Sequence, residues 1–406
     1  MPKRPEVLSP AGDLERLKFA VRYGADAIYI GGEAFGMRTS PKNFTLAQIA
    51  EGCAFAHAHG RRVYLTLNTT PTNEEIARLP DYVRRVRETG IDAFIVADLG
   101  VLSIVKKFAP EIEVHFSTQV GITNFIAANA AYDLGAKRVV LARELTLQDI
   151  AVIRQNTPAD LEIEAFVHGA MCMSFSGRCL LSHYLAGRDA NRGECTQPCR
   201  WKWQLTEEHR PHQHFDIGED ENGSYILNAD DLCTAPFIDL IAEAGVDSLK
   251  IEGRAKTFYY VASTTAAYRM AVDAYLAQPE GYSCPQRAIE ELTRTSHRHY
   301  STGFYFGRQG ATQSTQSSEY VREWDLVGIV EDWNDGIALC TQRGKFNLGE
   351  ALEVLMPTGE CITFTPEYIL NADSEEIEST PHSMMEFRVP CAQELPQYSI
   401  LRRRIV

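Results

Sequence analysis

The sequence predicts an α/β protein: a TIM-type (β/α)8 barrel with a cysteine-rich insertion, followed by a small antiparallel β-barrel domain. Three observations carry this reading. Short β-branched runs alternate with helical patterns through about the first 250 residues, the span of a barrel of this kind. A Gly–apolar–charged triplet recurs where a helix would end and a strand begin: Gly24-Ala25-Asp26, Gly90-Ile91-Asp92, Gly135-Ala136-Lys137 and Gly245-Val246-Asp247. From Trp324 onward the apolar pattern changes to period two, as half-buried antiparallel strands require.

The expected barrel strands are Glu6–Leu8, Ala27–Ile30, Val63–Leu67, Ala93–Val96, Val114–Ser117, Arg138–Leu141, Glu162–Val167 and Ser248–Ile251. Helical stretches lie between them, among them Asp13–Tyr23, Thr45–His59, Asn124–Leu134 and Ala235–Ala244. Asp13 and Thr45 are good N-caps, and Gly24 and Gly60 stand where those helices would stop. A doubly wound open sheet is the alternative, because counting strands does not establish closure. A long helical pattern, Tyr259 to Leu276, follows the eighth strand. The expected domains are a barrel over 1–300 with its insertion at 169–234, a polar linker over 301–322, and a β-rich domain over 323–406. The insertion leaves the end of a strand, which puts it on the face where barrels build active sites.

The composition, 45% hydrophobic and 23% charged, is that of a soluble globular chain. No run is apolar enough to cross a membrane, and the amphipathic start does not read as a signal peptide, so the cytoplasm is expected. A net charge of -14 argues against generic nucleic-acid binding. Local basic faces remain possible at Arg84, Arg85 and Arg87, at Arg200-Trp201-Lys202-Trp203, and at Arg402 to Arg404. Each is as easily a solvated surface run.

Ten cysteines in such a chain do not suggest a disulfide framework. Half are scattered, but Cys172, Cys179, Cys195, Cys199 and Cys233 crowd into the insertion. The first four are separated by six, fifteen and three residues, which is not the paired spacing of a zinc ribbon. Thiolates at such a density suit a soft metal or an iron–sulfur cluster better than buried free cysteine.

The segment Glu164-Ala165-Phe166-Val167-His168-Gly169-Ala170-Met171-Cys172, with Ser176-Gly177-Arg178-Cys179-Leu180-Leu181-Ser182 after it, resembles the signature of the collagenase-like peptidase family U32. Leu8-Ser9-Pro10-Ala11-Gly12, Tyr29-Ile30-Gly31-Gly32, Arg143-Glu144-Leu145 and Lys250-Ile251-Glu252-Gly253-Arg254 look like other recurrent segments of that family. The likeness spans nearly the whole chain. It implies a 4Fe-4S cluster on Cys172, Cys179, Cys195 and Cys199, with Cys233 able to replace Cys199. It also implies hydroxylation without molecular oxygen, in the branch that makes 5-hydroxyuridine at the tRNA wobble position with prephenate as co-substrate. An electron-donor protein would then be a partner beside tRNA. The same resemblance leaves open a collagenase-like peptidase, or hydroxylation of another RNA base or of a quinone precursor. Neither H-E-x-x-H nor G-x-S-x-G occurs, which weakens the peptidase reading. A scaffold with a structural cluster is the non-catalytic alternative.

Other candidates follow from position. Arg143 and Arg254 each follow an expected strand, and guanidinium groups suit the two carboxylates of prephenate. Lys250 and Glu252 alternate along one strand and would form an acid–base pair if they face the interior. Asn68, His115 and Gln119 lie on or just after strands, where they would contact a ring or a carbonyl. For His115 and His168 a satisfied core histidine is the safer reading. Trp201 and Trp203 would stack on a base or serve as core.

Overall fold

The computed structural model describes residues 3–35, 43–172, 174–200, 218–220, 223–225, 229–307 and 320–405. Its first unit contains β1 (Glu6–Pro10), β2 (Ala27–Gly31), β3 (Arg62–Leu67), β4 (Ala93–Val96), β5 (Glu113–Phe116), β6 (Arg138–Val140) and β7 (Glu162–Ala170). There follow a hairpin, β8 (Gly218–Asp220) and β9 (Gly223–Tyr225), then β10 (Asp231–Cys233), β11 (Ser248–Ile251) and β12 (Tyr300–Ser301). Strands β1 to β7 pair in parallel in chain order, and β11 pairs in parallel with both β7 and β1. The sheet therefore closes on itself as an eight-stranded barrel, and the open-sheet alternative falls.

The surrounding helices are α1 (Leu14–Arg22), α2 (Leu46–Ala58), α3 (Asn73–Arg87), α4 (Leu99–Phe108), α5 (Phe125–Asp133), α6 (Leu147–Gln155), α7 (Leu181–Ala186), α8 (Ile238–Glu243), α9 (Phe258–Ala277) and α10 (Gln286–Thr293). Local chemistry starts them where expected. The Asp13 carboxylate accepts the Arg16 N–H, and Thr45 and Gln48 form a reciprocal capping box. Helix α9 is buried along most of its length because it is clasped between the barrel and the second domain. No helix among the described residues is long and apolar enough to cross a membrane.

Two boundaries differ from expectation. Strand β7 runs on to Ala170, and β10 lies antiparallel against its last residues, with Cys233 opposite His168. The insertion thus leaves the barrel after residue 170 and returns as a strand. The barrel unit also continues beyond residue 300: the buried Tyr305 donates to the Phe166 carbonyl at 2.5 Å, and its own carbonyl accepts the Leu147 N–H. Most of the expected linker, residues 308–319, lies outside the described residues.

The second unit is a six-stranded antiparallel sheet of β13 (Trp324–Asn334), β14 (Ile337–Gln342), β15 (Leu352–Leu355), β16 (Cys361–Phe364), β17 (Glu386–Pro390) and β18 (Ile400–Arg404). It has a core of its own around Val330, Phe346, Val354 and Phe387. A shared apolar cluster then joins Phe19 and Tyr23 of the α1 region and Phe258 of α9 to Ile329, Leu355 and Ile400. The Tyr23 hydroxyl reaches the carbonyls of Leu355 and Tyr398 at 2.9 and 2.8 Å. The β-domain is packed onto the barrel's flank by this cluster.

Candidate active site

The barrel interior is charged at its base and opens upward into a cavity. Arg138 on β6 bonds Glu6 at 2.6 Å, Glu162 at 2.6 Å and Glu164 at 3.0 Å. Tyr64 and Ser248 also donate to Glu6, at 2.7 and 2.8 Å. Burial raises the Glu6 carboxyl, but Arg138 and these donors outweigh it and bring it down to about 2. Above this layer, Lys250 Nζ meets Glu164 at 2.5 Å, beneath the rings of Tyr29 and Phe166. Burial alone would raise Glu164 too; the Lys250 ammonium and the Arg138 guanidinium hold it below its ordinary value. Burial pushes the Lys250 ammonium down, and the Glu164 charge only partly offsets that.

Lys250 is the floor of a cavity of about 400 Å³ at the C-terminal ends of the strands. Arg254, only 6% exposed, forms one wall and donates to the Thr66 hydroxyl at 2.9 Å. Two glycines make room for it. A β-carbon at Gly31 would lie 2.3 Å from Arg254 Nη1, and one at Gly12 would lie 2.3 Å from the Arg254 carbonyl oxygen. The segments around Gly12 and Gly31 therefore both close on Arg254, the first at its carbonyl and the second at its guanidinium. Arg143 stands on another side, its Nη1 donating to the Ala170 carbonyl at 2.9 Å and its guanidinium 3.7 Å above the Phe166 ring. Asn68, Gln119 and Glu252 also line the cavity. Asn68 Nδ2 reaches Ser117 at 3.5 Å, while its Oδ1 is buried without a partner among the described residues.

The cysteine segment roofs this cavity. Cys172, Cys179, Cys195 and Cys199 all line it. Glu144 ties the roof to the barrel, accepting the Ser176 N–H at 2.7 Å and the Ser176 hydroxyl at 2.8 Å. Its place beside Arg143 was the one sequence signal for that role. Asn191 and Cys179 exchange backbone–amide bonds, and the Leu181 N–H points at Cys179 Sγ from 3.3 Å. Ser182 donates to Cys195 Sγ at 3.9 Å. Among the described residues no three His, Cys, Asp or Glu side chains converge closely enough for a single metal ion. A four-iron cluster asks for something else: four thiols spread around one space, with donors directed at sulfur. The donor set here fits that demand.

Cys233 stands apart. It sits on β10 behind the end of β7, does not line the cavity, and its thiol is pushed up to about 11 by burial. The expected Lys250–Glu252 pair is not formed. Lys250 and Glu252 both line the cavity, as alternation along β11 predicts, but Lys250 reaches across to Glu164 on the neighbouring β7, and the register shift of that ladder places its extra residue, Val167, on β7. Glu252 lies past the strand's end, its N–H on the His168 carbonyl at 2.9 Å. His115 and His168 are buried core histidines held below their ordinary value by burial, His168 at about 3 among Tyr260, Tyr268 and Tyr300.

Of the basic runs, Arg402 to Arg404 is no open face. Arg402 is fully buried, Arg403 pairs with Glu350, and Arg404 has Glu323 at 3.9 Å. Arg84 pairs with Asp81 and Arg87 with Glu111, leaving Arg85 exposed. Trp201, Lys202 and Trp203 lie outside the described residues.

A closed barrel whose strand ends carry cations, whose roof carries four thiols and whose flank carries a β-domain defines a class of two-domain, cysteine-roofed barrel proteins. The chain belongs to peptidase family U32. The model of that family matches residues 12–315, and the model of the peptidase family U32 C-terminal domain matches residues 322–402. The chain is 36% identical over 405 residues to the "tRNA hydroxylation protein P1" of Bacillus subtilis, covering 99% of this chain and 95% of that one. It is 36% identical over 389 residues to the "23S rRNA 5-hydroxycytidine C2501 synthase" of Escherichia coli, covering 94% and 57%. It is 30% identical over 374 residues to the "Collagenase" of Porphyromonas gingivalis, covering 87% of each.

Proposed function

We propose that this chain is an RNA-hydroxylating enzyme that converts a tRNA wobble uridine to 5-hydroxyuridine without molecular oxygen, with prephenate as co-substrate. The observation that carries the reading is one cavity in which strand-end cations face four thiols. Relatives named for tRNA and rRNA hydroxylation match almost the whole of this chain. Cys172, Cys179, Cys195 and Cys199 would hold a 4Fe-4S cluster, which when bound would supply one-electron redox chemistry. An electron-carrier protein would serve it, and the setting would be the cytoplasm, where tRNA is.

The chain's own groups have defined parts in this reading. Arg254 and Arg143 are already oriented by Thr66 and by the Ala170 carbonyl, so they can receive the two carboxylates of the co-substrate without reorganising. Lys250 and Glu164 can hold or pass a proton at Nζ. Asn68 Oδ1 can accept the N3–H of a uracil ring; a buried acceptor left empty costs on the order of 1–3 kcal/mol. A thiol peptidase is less well supported, since no described histidine hydrogen-bonds a cavity cysteine.

The test is nucleoside analysis of tRNA from a strain lacking the gene and any paralogue. Derivatives of 5-hydroxyuridine should vanish, and return with the wild-type chain but not with Cys172→Ala. An unchanged nucleoside profile would remove the reading.

A further inference from the structure

The cysteine roof has an outer face as well as the inner one that meets the cavity. Two aromatic rings of the roof segment stand open to solvent: Tyr184 is 77% exposed and Phe175 is 52% exposed. Arg178 and Arg188 of the same segment are also exposed, and neither forms an ion pair with a described carboxylate. Several exposed arginines elsewhere, Arg78, Arg84, Arg87 and Arg322, have a carboxylate partner, although Arg85 does not. The local charge is also out of keeping with the whole. From Phe175 to Arg188 there is no acidic residue, in a chain with 54 of them and a net charge of -14.

The face is held in place. Gly187 takes a left-handed conformation that ends α7 and turns the chain back, so the Arg188 N–H reaches the Ser182 carbonyl at 3.1 Å. Ser182 in turn accepts the Thr196 N–H at 3.1 Å, which ties α7 to the Cys195 turn. Leu181 lines the cavity, and Tyr184 follows one turn later on the same side of α7. Tyr184 therefore stands beside the edge of the cavity's roof.

We infer that this face is where the substrate RNA strand lies while one of its bases enters the cavity. Unpaired bases stack on Tyr184 and Phe175, and Arg178 and Arg188 neutralise phosphates. The inference rests on the RNA-hydroxylation reading and adds the surface that reading lacks. Unpaired cations interleaved with open rings, on a stretch free of acids, suit a polyanion with π-faces better than a protein partner.

The test is binding of a fluorescent tRNA transcript to the full chain, by anisotropy over a range of KCl concentrations. Tyr184→Ala should weaken binding about ten-fold, as loss of one stacked base does. Arg178→Gln with Arg188→Gln should lower the slope of log affinity against log salt by about 1.5 to 2. Arg85→Gln, an exposed arginine outside this face, should change nothing, and unchanged melting temperatures show that each variant is folded. Variants that bind with wild-type affinity and slope overturn the inference and leave the functional reading standing. If those variants also lose hydroxylation, the face serves a redox protein instead. A wild-type chain that does not bind tRNA at all overturns both.

Discussion

Arg402 lies wholly inside the protein and grips both oxygens of Glu291, with Nη1 and Nη2 at 2.6 and 2.7 Å. Arg402 belongs to the last strand of the β-domain and Glu291 to α10 of the barrel unit. The fork is completed by Glu353 at 2.5 Å and by the rings of Tyr259 and Trp324. Desolvating two charges is costly, and the pair offsets that cost only while both partners and their neighbours are in place. It ties the two units to one relative position.

Arg402→Ala should therefore cost about 3–5 kcal/mol by stranding the Glu291 charge. Arg402→Lys should recover little, because an ammonium cannot make the planar two-point contact. Thermal or urea denaturation of the full chain reads both. A loss below about 1 kcal/mol would show that the apolar cluster around Phe258 and Ile400 holds the units without the ion pair.

Acid sensitivity follows from the barrel's base. Glu6 titrates near 2 in the folded chain, well below its value of about 4.5 when unperturbed. A depressed carboxylate contributes stability that is full above the unfolded value and lost as pH falls through the folded one. Melting temperature should therefore drop between about pH 4.5 and 2. Glu6→Gln should flatten that window while lowering stability at neutral pH, because Arg138 then loses a partner. An unchanged acid profile in the variant would show that other carboxylates govern the transition.

The thiols divide by position. Protein purified without oxygen should carry about four iron and four sulfide per chain. Alanine at Cys172, Cys179, Cys195 or Cys199 should abolish this, and Cys233→Ala should not, since burial keeps that thiol protonated behind β7. Elemental analysis and the absorption spectrum decide it. Iron lost with Cys233→Ala and kept with Cys199→Ala would reverse the assignment.

Much of the barrel was legible because each unit repeats local signals: a cap such as Asp13 or Thr45, a stop such as Gly24, a β-branched run. Closure was not, since it depends on contacts such as that of Ser248 with Glu6, far apart in the chain. The cavity's cysteines were legible from their crowding, but spacing could not separate Cys233 from Cys199; the pairing of β10 with β7 holds Cys233 away from the cavity. Lys250 and Glu252 looked like partners because alternation puts both on the cavity side, which it does, but the carboxylate that meets Lys250 is Glu164, far away in the chain on β7, and no local pattern shows that. Arg402 looked like surface charge because a run of arginines says nothing of the carboxylates that will meet it.

Gly31 offers the most selective probe of the cavity. An alanine there places a methyl group 2.3 Å from Arg254 Nη1, so the guanidinium must move off its bond to Thr66. The backbone of Gly31 lies in a regular strand and can accept a side chain, so the barrel should still fold. Gly31→Ala should therefore raise the Kd for a dicarboxylate co-substrate at least ten-fold with little change in melting temperature. Arg254→Lys should do the same, since an ammonium cannot present two parallel donors to a carboxylate. Isothermal titration with the co-substrate tests both. Wild-type affinity in either variant would mean that Arg254 shapes the wall of the cavity without holding the ligand, and would shift the anion-binding role to Arg143.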